Sequence, residues 1–244
     1  MSREDRNPLT PRPLTITPDP LPHLQGSALV ATGNTRVLCA VSVEDSVPKW
    51  MMGKGSGWLS AEYSLMPGST VPRARRERSG KVSGRTQEIQ RLIGRSLRAA
   101  VNLDVVGERM FWVDCDVLEA DGGTRTAAIT GAYVALSLAI RRMEARGDIP
   151  EGALTEPVAA ISVGVVKGDV VVDLDYIEDS SADVDMNVVM KGGGELIEVQ
   201  GTGERTTFSR SQLNSLLDGA DYACQRIFTA QMTAVKEGLE KRPS

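Results

Sequence analysis

Apolar residues along this chain recur with two periods. From Ser27 to Asp45, small and β-branched apolar residues alternate with polar ones, and the alternation breaks at Gly33-Asn34. Period two around such a pair predicts two antiparallel strands joined by a tight hairpin. "GWLSAEYSL" reads as a further strand, and "LTIT", after a proline-rich start, as an edge strand. From about Arg85 to Asn102 the period becomes helical. Ile89, Leu92, Ile93, Ser96, Leu97 and Ala100 then share one side, with Arg91, Arg95 and Arg98 opposite as a solvated or subunit-facing stripe. "MFWVDCDVLEA" restores alternation, setting Phe111, Val113, Cys115 and Val117 against Trp112, Asp114, Asp116 and Leu118. The helix that follows, in "ADGGTRTAAITGAYVALSLAIRR", is apolar in nearly every direction and so is buried on most sides.

Beyond it, "PVAAISVGVVKGDVVVDLDYIED" predicts a hairpin turning at Lys167-Gly168-Asp169. "DMNVVMKGGGELIEVQGTG" predicts two more strands joined through Gly192-Gly193-Gly194. Ser209 with Gln212 forms a capping box that opens a long C-terminal helix, with Leu213, Leu216, Leu217, Ala220, Cys224 and Ile227 on one side. The element order predicts an α+β fold: two related β-rich halves, mixed sheets and packed helices in a single domain spanning residues 1–244. The first dozen residues are expected to form a flexible or extended arm.

Composition narrows the chemistry. No apolar run among the 244 residues approaches the roughly 18 needed to span a bilayer, and "MSREDRNPLTPRP" is too charged and proline-rich for a signal peptide. A soluble cytoplasmic protein without membrane partners is expected. Cys39, Cys115 and Cys224 are odd in number and sit among apolar neighbours, which predicts buried thiols. His23 is the only histidine, placed in a turn-like context, so Ser-His-Asp triads and histidine-rich metal sites are excluded. The net charge is -4, yet residues 73–109 hold ten basic residues against four acidic ones. Such a patch is the footprint of a polyanion partner, segregated surface charge being the alternative. Its loop, "PGSTVPRARRERSGKVSG", has no apolar period.

Two constellations carry chemistry. Arg125 stands in the first turn of the buried helix, where the macrodipole is already positive. With Arg85, Gly122, Gly123, Thr124 and Thr126 it could form an oxyanion cradle of guanidinium groups, hydroxyls and unpaired helix amides, Thr124 serving as N-cap. A structural Arg125–Asp121 pair is the competing reading. The second constellation is "YIEDSSADVDMN", where Glu178, Asp179, Asp183 and Asp185 crowd between two strands. Carboxylates so close repel unless a cation lies among them, and without imidazole or clustered thiols Mg²⁺ or Mn²⁺ suits them. A solvated acidic turn is the alternative. An anion cradle beside an acidic cluster points to phosphoryl chemistry. Since a hydrolase has no need to hold phosphate, the cradle favours phosphorolysis.

"SGRTQEIQRLIGRSLRAAVNL", "DCDVLEADGGTRTAAITGA" and "DLDYIEDSSADVDMNVVM" resemble the signature segments of the bacterial ribonuclease PH family, and the likeness runs from "RPLTIT" to the C-terminal helix. The resemblance implies the ribonuclease PH fold, similar to the second domain of ribosomal protein S5, with duplicated βαβ-type halves. It implies a phosphate-dependent 3′→5′ exoribonuclease, a nucleotidyltransferase that trims tRNA precursors and other RNAs and releases nucleoside diphosphates. On its motifs Arg85, Gly123, Thr124 and Arg125 match phosphate-binding positions, with Thr126 adjacent. Asp179 and Asp185 match the acidic pair for Mg²⁺ (or Mn²⁺) and catalysis, with Asp183 between them. Arg73, Arg75, Arg76 and Arg78 would guide single-stranded RNA. A homo-hexamer, a trimer of dimers, is the implied assembly.

Overall fold

The computed structural model describes residues 6–77 and 82–242. Nine strands form two sheets. The first contains β1 (Leu14–Pro18), β2 (Gly26–Thr32), β3 (Thr35–Glu44), β4 (Trp58–Leu65) and β5 (Met110–Glu119), in the order β1-β2-β3-β5-β4. The hairpin predicted at Gly33-Asn34 joins β2 to β3, and "LTIT" lies at the sheet's edge. Only β4 runs parallel to its neighbour β5, and the connection between them carries helices α1 (Gly84–Arg98) and α2 (Leu103–Val106). The second sheet, β6 (Val158–Val166), β7 (Asp169–Val172), β8 (Val184–Lys191) and β9 (Leu196–Gly203), is antiparallel throughout, in the order β7-β6-β8-β9. Each half therefore contributes a sheet and a long helix: α3 (Thr124–Arg146) after β5, and α5 (Arg210–Lys241) after β9.

Helix α3 joins the halves. Eighteen of its 23 residues are buried, because it packs on β2 and β3 along one side and on β6 and α5 along another. Its all-round apolar sequence follows from this position. The approach to β2 is so close that a Cβ on Gly26 would lie 2.0 Å from the Ala135 carbonyl oxygen, which only glycine permits. Charge inside this interface is paired: Arg142, buried on α3, donates to Asp19 Oδ1 at 2.9 Å and to the Gly238 carbonyl of α5 at 3.1 Å.

The helix predicted from Arg85 to Asn102 ends at Arg98, and Ile89, Leu92, Ile93, Ser96 and Leu97 are buried. Its arginine stripe is not uniform. Arg95 pairs with Glu198 at 3.0 Å, whereas Arg98 folds back to donate to the Leu59 carbonyl at 2.9 Å and lies 4.7 Å above the Trp58 ring. The three cysteines are free and buried. The acidic stretch between the two strands contains a further helix, α4 (Tyr176–Ser181), closed by an Asp175–Glu178 capping box.

Of the N-terminal arm, residues 6–12 are docked on the body. Arg12 is 4% exposed and clamps Asp173, through its Nε to Oδ2 at 2.9 Å and Nη2 to Oδ1 at 2.6 Å. Arg6 pairs with Asp173 at 3.5 Å and with Glu178 at 3.4 Å. No helix among the described residues is long and apolar enough to cross a membrane.

Candidate active site

The two halves meet at a cleft of about 460 Å³ whose lining includes Arg85, Gly123, Thr124, Arg125, Asp179 and Asp185. Residues far apart in sequence converge there because of how the elements end. Strand β5 delivers the chain to Asp121 and the start of α3, α1 starts at the cleft with Arg85, and α4 and β8 bring the carboxylates from the second sheet.

The start of α3 is built as an open cradle. Gly122 and Gly123 have φ of 74° and 64°, and a Cβ on Gly122 would lie 2.5 Å from the Leu174 carbonyl oxygen, so the turn needs glycine. Gly123, not Thr124, is the N-cap, and no side chain caps the helix. Thr124 instead shares a hydrogen bond of 2.8 Å with the buried Tyr63 hydroxyl. The first amides of α3 therefore keep their donor capacity for something in the cleft. The loop ahead of the helix is pinned from behind. Thr35 donates to the Gly122 carbonyl at 2.7 Å, and Arg12 donates to the Asp121 carbonyl.

Arg125 does not pair with Asp121. Its Nη1 donates to Gln200 Oε1 at 2.8 Å and lies 3.6 Å from Glu88 Oε2. Asp121 accepts instead from Asn34 and from the Tyr176 amide. Arg85 is exposed, and no ion pair holds it among the described residues.

Facing these cations, burial and then the Asp179 charge push the Asp185 carboxyl up to about 6, against the opposing pull of Arg125 and Arg85. The Asp179 carboxyl is also raised by burial, while Arg85 and Arg125 pull it down. A half-buried carboxylate whose ionised form is penalised by burial and by a second carboxylate is a fit for a hard divalent cation, which would reverse the penalty. Among the described residues no group of three or more His, Cys, Asp or Glu forms a cation cage. Two carboxylates lining one cleft suit Mg²⁺, an ion that keeps waters and meets substrate phosphates through one or two carboxylates.

Not every expected residue faces this cleft. Thr126 turns its hydroxyl to the Gly123 carbonyl at 2.9 Å and lines a neighbouring cavity between the arm and α5. Asp183 precedes β8 and is not part of the cleft lining. Glu178 is taken up by the capping box and by Arg6. Arg73, Arg75 and Arg76 are exposed on the loop whose Thr70, Val71 and Pro72 form part of the cleft wall, and Arg78 lies outside the described residues.

Other lining residues escape the sequence reading: Tyr63, Ser162, Tyr176 and Asn187. Asn187 stands two residues after Asp185 on β8, on the same side of the strand, a spacing that is visible in the sequence.

Comparison with known proteins fixes the relationship. Residues 10–141 match the model of domain 1 of the 3′ exoribonuclease family, and residues 156–220 match that of its domain 2. The chain belongs to the 3′ exoribonuclease family. Within this family it is 52% identical over 231 residues to the ribonuclease PH of Bacillus pumilus, covering 94% of this chain and 96% of that protein. To the ribonuclease PH of Rhodopirellula baltica it is 59% identical over 211 residues, covering 84% and 86%. The fold is that of rice Rrp46 (TM-score 0.77, 24% identity, 96% of this chain and all of that one). It is also that of a subunit of the Archaeoglobus fulgidus exosome with RNA bound to the active site (TM-score 0.75, 21% identity, 94% and 91%). The gap between the two domain models, residues 142–155, takes in the end of α3 and most of its connection to β6.

Proposed function

We propose that the cleft of Arg85, Arg125, Asp179 and Asp185 is where this member of the family carries out its reaction. The chain is a phosphorolytic 3′→5′ exoribonuclease of the type that acts on tRNA. The observation that carries the assignment is the juxtaposition of an uncapped helix start and two guanidinium groups with two carboxylates, both raised by burial, in one cleft.

Inorganic phosphate, the co-substrate, is held by Arg85, Arg125, the Thr124 hydroxyl and the first amides of α3 from Gly123 onward. Thr126 supports this turn from behind through its bond to Gly123, and Asp183 leads into β8, its amide donating to the Val165 carbonyl at 2.8 Å. One phosphate oxygen attacks the phosphorus of the RNA's last phosphodiester. The bond from that phosphorus to the preceding 3′ oxygen breaks, the departing 3′ oxygen takes a proton, and the terminal nucleotide leaves as a nucleoside diphosphate. Holding the nucleophile in line removes much of the entropic barrier. The two arginines and the helix amides stabilise the charge that builds on the equatorial oxygens.

Asp179 and Asp185 would hold Mg²⁺, or Mn²⁺, which when bound supplies Lewis-acid stabilisation of the phosphoryl oxygens. Arg73, Arg75, Arg76 and Arg78 would draw the single-stranded 3′ tail to the cleft through its backbone charge, with little sequence preference. The chain works as one domain in the cytoplasm, assembled as a hexameric trimer of dimers; sharing the fold of an archaeal exosome core subunit is in keeping with assembly.

Incubation of 3′-labelled RNA with protein and Mg²⁺, with or without phosphate, tests this reading. Nucleoside diphosphate appearing only with phosphate is expected, and release of nucleoside monophosphate without it overturns the assignment. Asp185→Asn should abolish turnover yet leave RNA bound in a filter assay.

A further inference from the structure

The groups assigned above recognise phosphoryl oxygens and a cation, and none of them holds a base. The same cleft has a chemically different wall, formed by Leu65, Val71, Pro72, Ala120 and Tyr176. Tyr176 lines the cleft and is nonetheless 60% exposed, whereas Tyr63 in the same cleft is 4% exposed. We propose that the Tyr176 ring is the platform on which the base of the RNA's 3′-terminal nucleotide stacks, and hence also the base of the nucleoside diphosphate that leaves. This rests on the reading of the cleft given above.

Position supports the proposal. Tyr176 and Asp179 are three residues apart on α4, so they share one side of the helix, with Cβ atoms roughly 5–6 Å apart. A base stacked on the ring therefore has its own phosphate beside the carboxylate pair, about one sugar away, as a terminal nucleotide requires. The platform is also fixed. Glu178 and Asp175 close the capping box beneath it, and the Tyr176 amide donates to Asp121 Oδ1 at 3.3 Å, which ties α4 to the glycine turn of the phosphate cradle. Stacking suits the task, since every base offers a π-face and an enzyme that removes successive nucleotides must accept each in turn. The neighbouring Val71 and Pro72 add apolar surface that a hydrogen-bonding pocket would not need.

The test compares wild type with Tyr176→Ala and Tyr176→Phe. It measures KM and kcat for single-stranded RNA ending either in a normal nucleotide or in an abasic one, KM for phosphate, and KM for ADP in the reverse reaction. Tyr176→Ala is expected to raise KM for normal RNA and for ADP about tenfold. KM for phosphate should not move, Tyr176→Phe should restore wild-type values, and the abasic end should bring wild type to the level of the alanine variant. Equal KM values for wild type and Tyr176→Ala on normal RNA overturn the proposal, as does an alanine defect that persists on the abasic end. A changed mass in light scattering with no change in KM also overturns it, marking the ring as a protein contact. Those outcomes leave wild-type phosphorolysis intact, whereas absence of phosphate-dependent diphosphate release by wild type removes the reading of the cleft itself.

Discussion

Asn187 is 7% exposed, faces the cleft and has no side-chain hydrogen bond among the described residues. Buried amides are ordinarily paired, so one left open toward a reaction site awaits a partner from the substrate. Its Nδ2 is a suitable donor to a phosphoryl oxygen beside Asp185. Asn187→Ala should lower kcat on the order of 10²-fold, the usual effect of removing one preorganised donor. Asn187→Leu should be as inactive but fold as well as wild type, since no protein hydrogen bond is lost; a large drop in melting temperature for Asn187→Leu would make the amide structural. The charged site residues are legible in the sequence because each violates a local rule. Arg125 opposes a helix dipole, Arg85 sits at the edge of an apolar stripe, and Asp179 and Asp185 crowd together. Asn187, Tyr63 and Tyr176 violate none, since a strand tolerates an amide and a core tolerates a tyrosine, and only the fold shows which of them face the cleft.

At the scale of elements, the cradle depends on a clamp far from it in sequence. Arg12 grips Asp173 and also reaches the carbonyls of Asp121 and Leu174, so the arm holds the glycine turn against the second sheet. Burial alone would raise the Asp173 carboxyl, but its hydrogen bond to Arg12 and the Arg12 charge outweigh burial and hold it below the ordinary carboxylate range. Because the folded value lies below the unfolded one, the clamp's contribution is complete above about pH 4 and is lost as pH falls through the folded value. Asp173→Asn should therefore cost about 3–5 kcal/mol at neutral pH, the penalty of stranding a buried arginine. In urea titrations the gap between Asp173→Asn and wild type should narrow below pH 4, and a constant gap would refute the linkage. Nothing periodic announces this clamp: "TPRP" reads as an arm, and an arginine among prolines carries no burial signal. Helix α4 is a different case. Asp175 and Glu178 have the spacing of a capping box, but so dense a run of carboxylates reads first as a cation cluster. The strands, the three hairpins and the Ser209–Gln212 cap of α5 were legible because their signals are local.

In the whole molecule, α3 is packed on both sheets and α5, so the larger of the core clusters is built from both halves. A single calorimetric transition is expected, and two separable ones would show independent halves. The proposed phosphate cradle lies at the start of this shared helix, so a bound anion is expected to add to global stability. Arg125 stands in the first turn of α3, at the positive end of its dipole, where a bound anion would be favourable. An anion that binds only the folded state stabilises it by about 2.7 kcal/mol at a hundred times its dissociation constant. For a chain of this length each kcal/mol moves the melting temperature by about 2–4 °C, so phosphate should raise it by roughly 5–11 °C. Sulfate should act likewise, because it offers the same tetrahedral oxygens to the guanidinium groups, while chloride at equal ionic strength should not. Arg125→Ala should melt close to wild type without phosphate, since it removes a charge opposed to the dipole, and should lose most of the phosphate-induced rise. Differential scanning fluorimetry of the two proteins in phosphate, sulfate and chloride decides the matter. An equal rise in chloride, or an undiminished rise in Arg125→Ala, would reduce the start of α3 to an ordinary helix end.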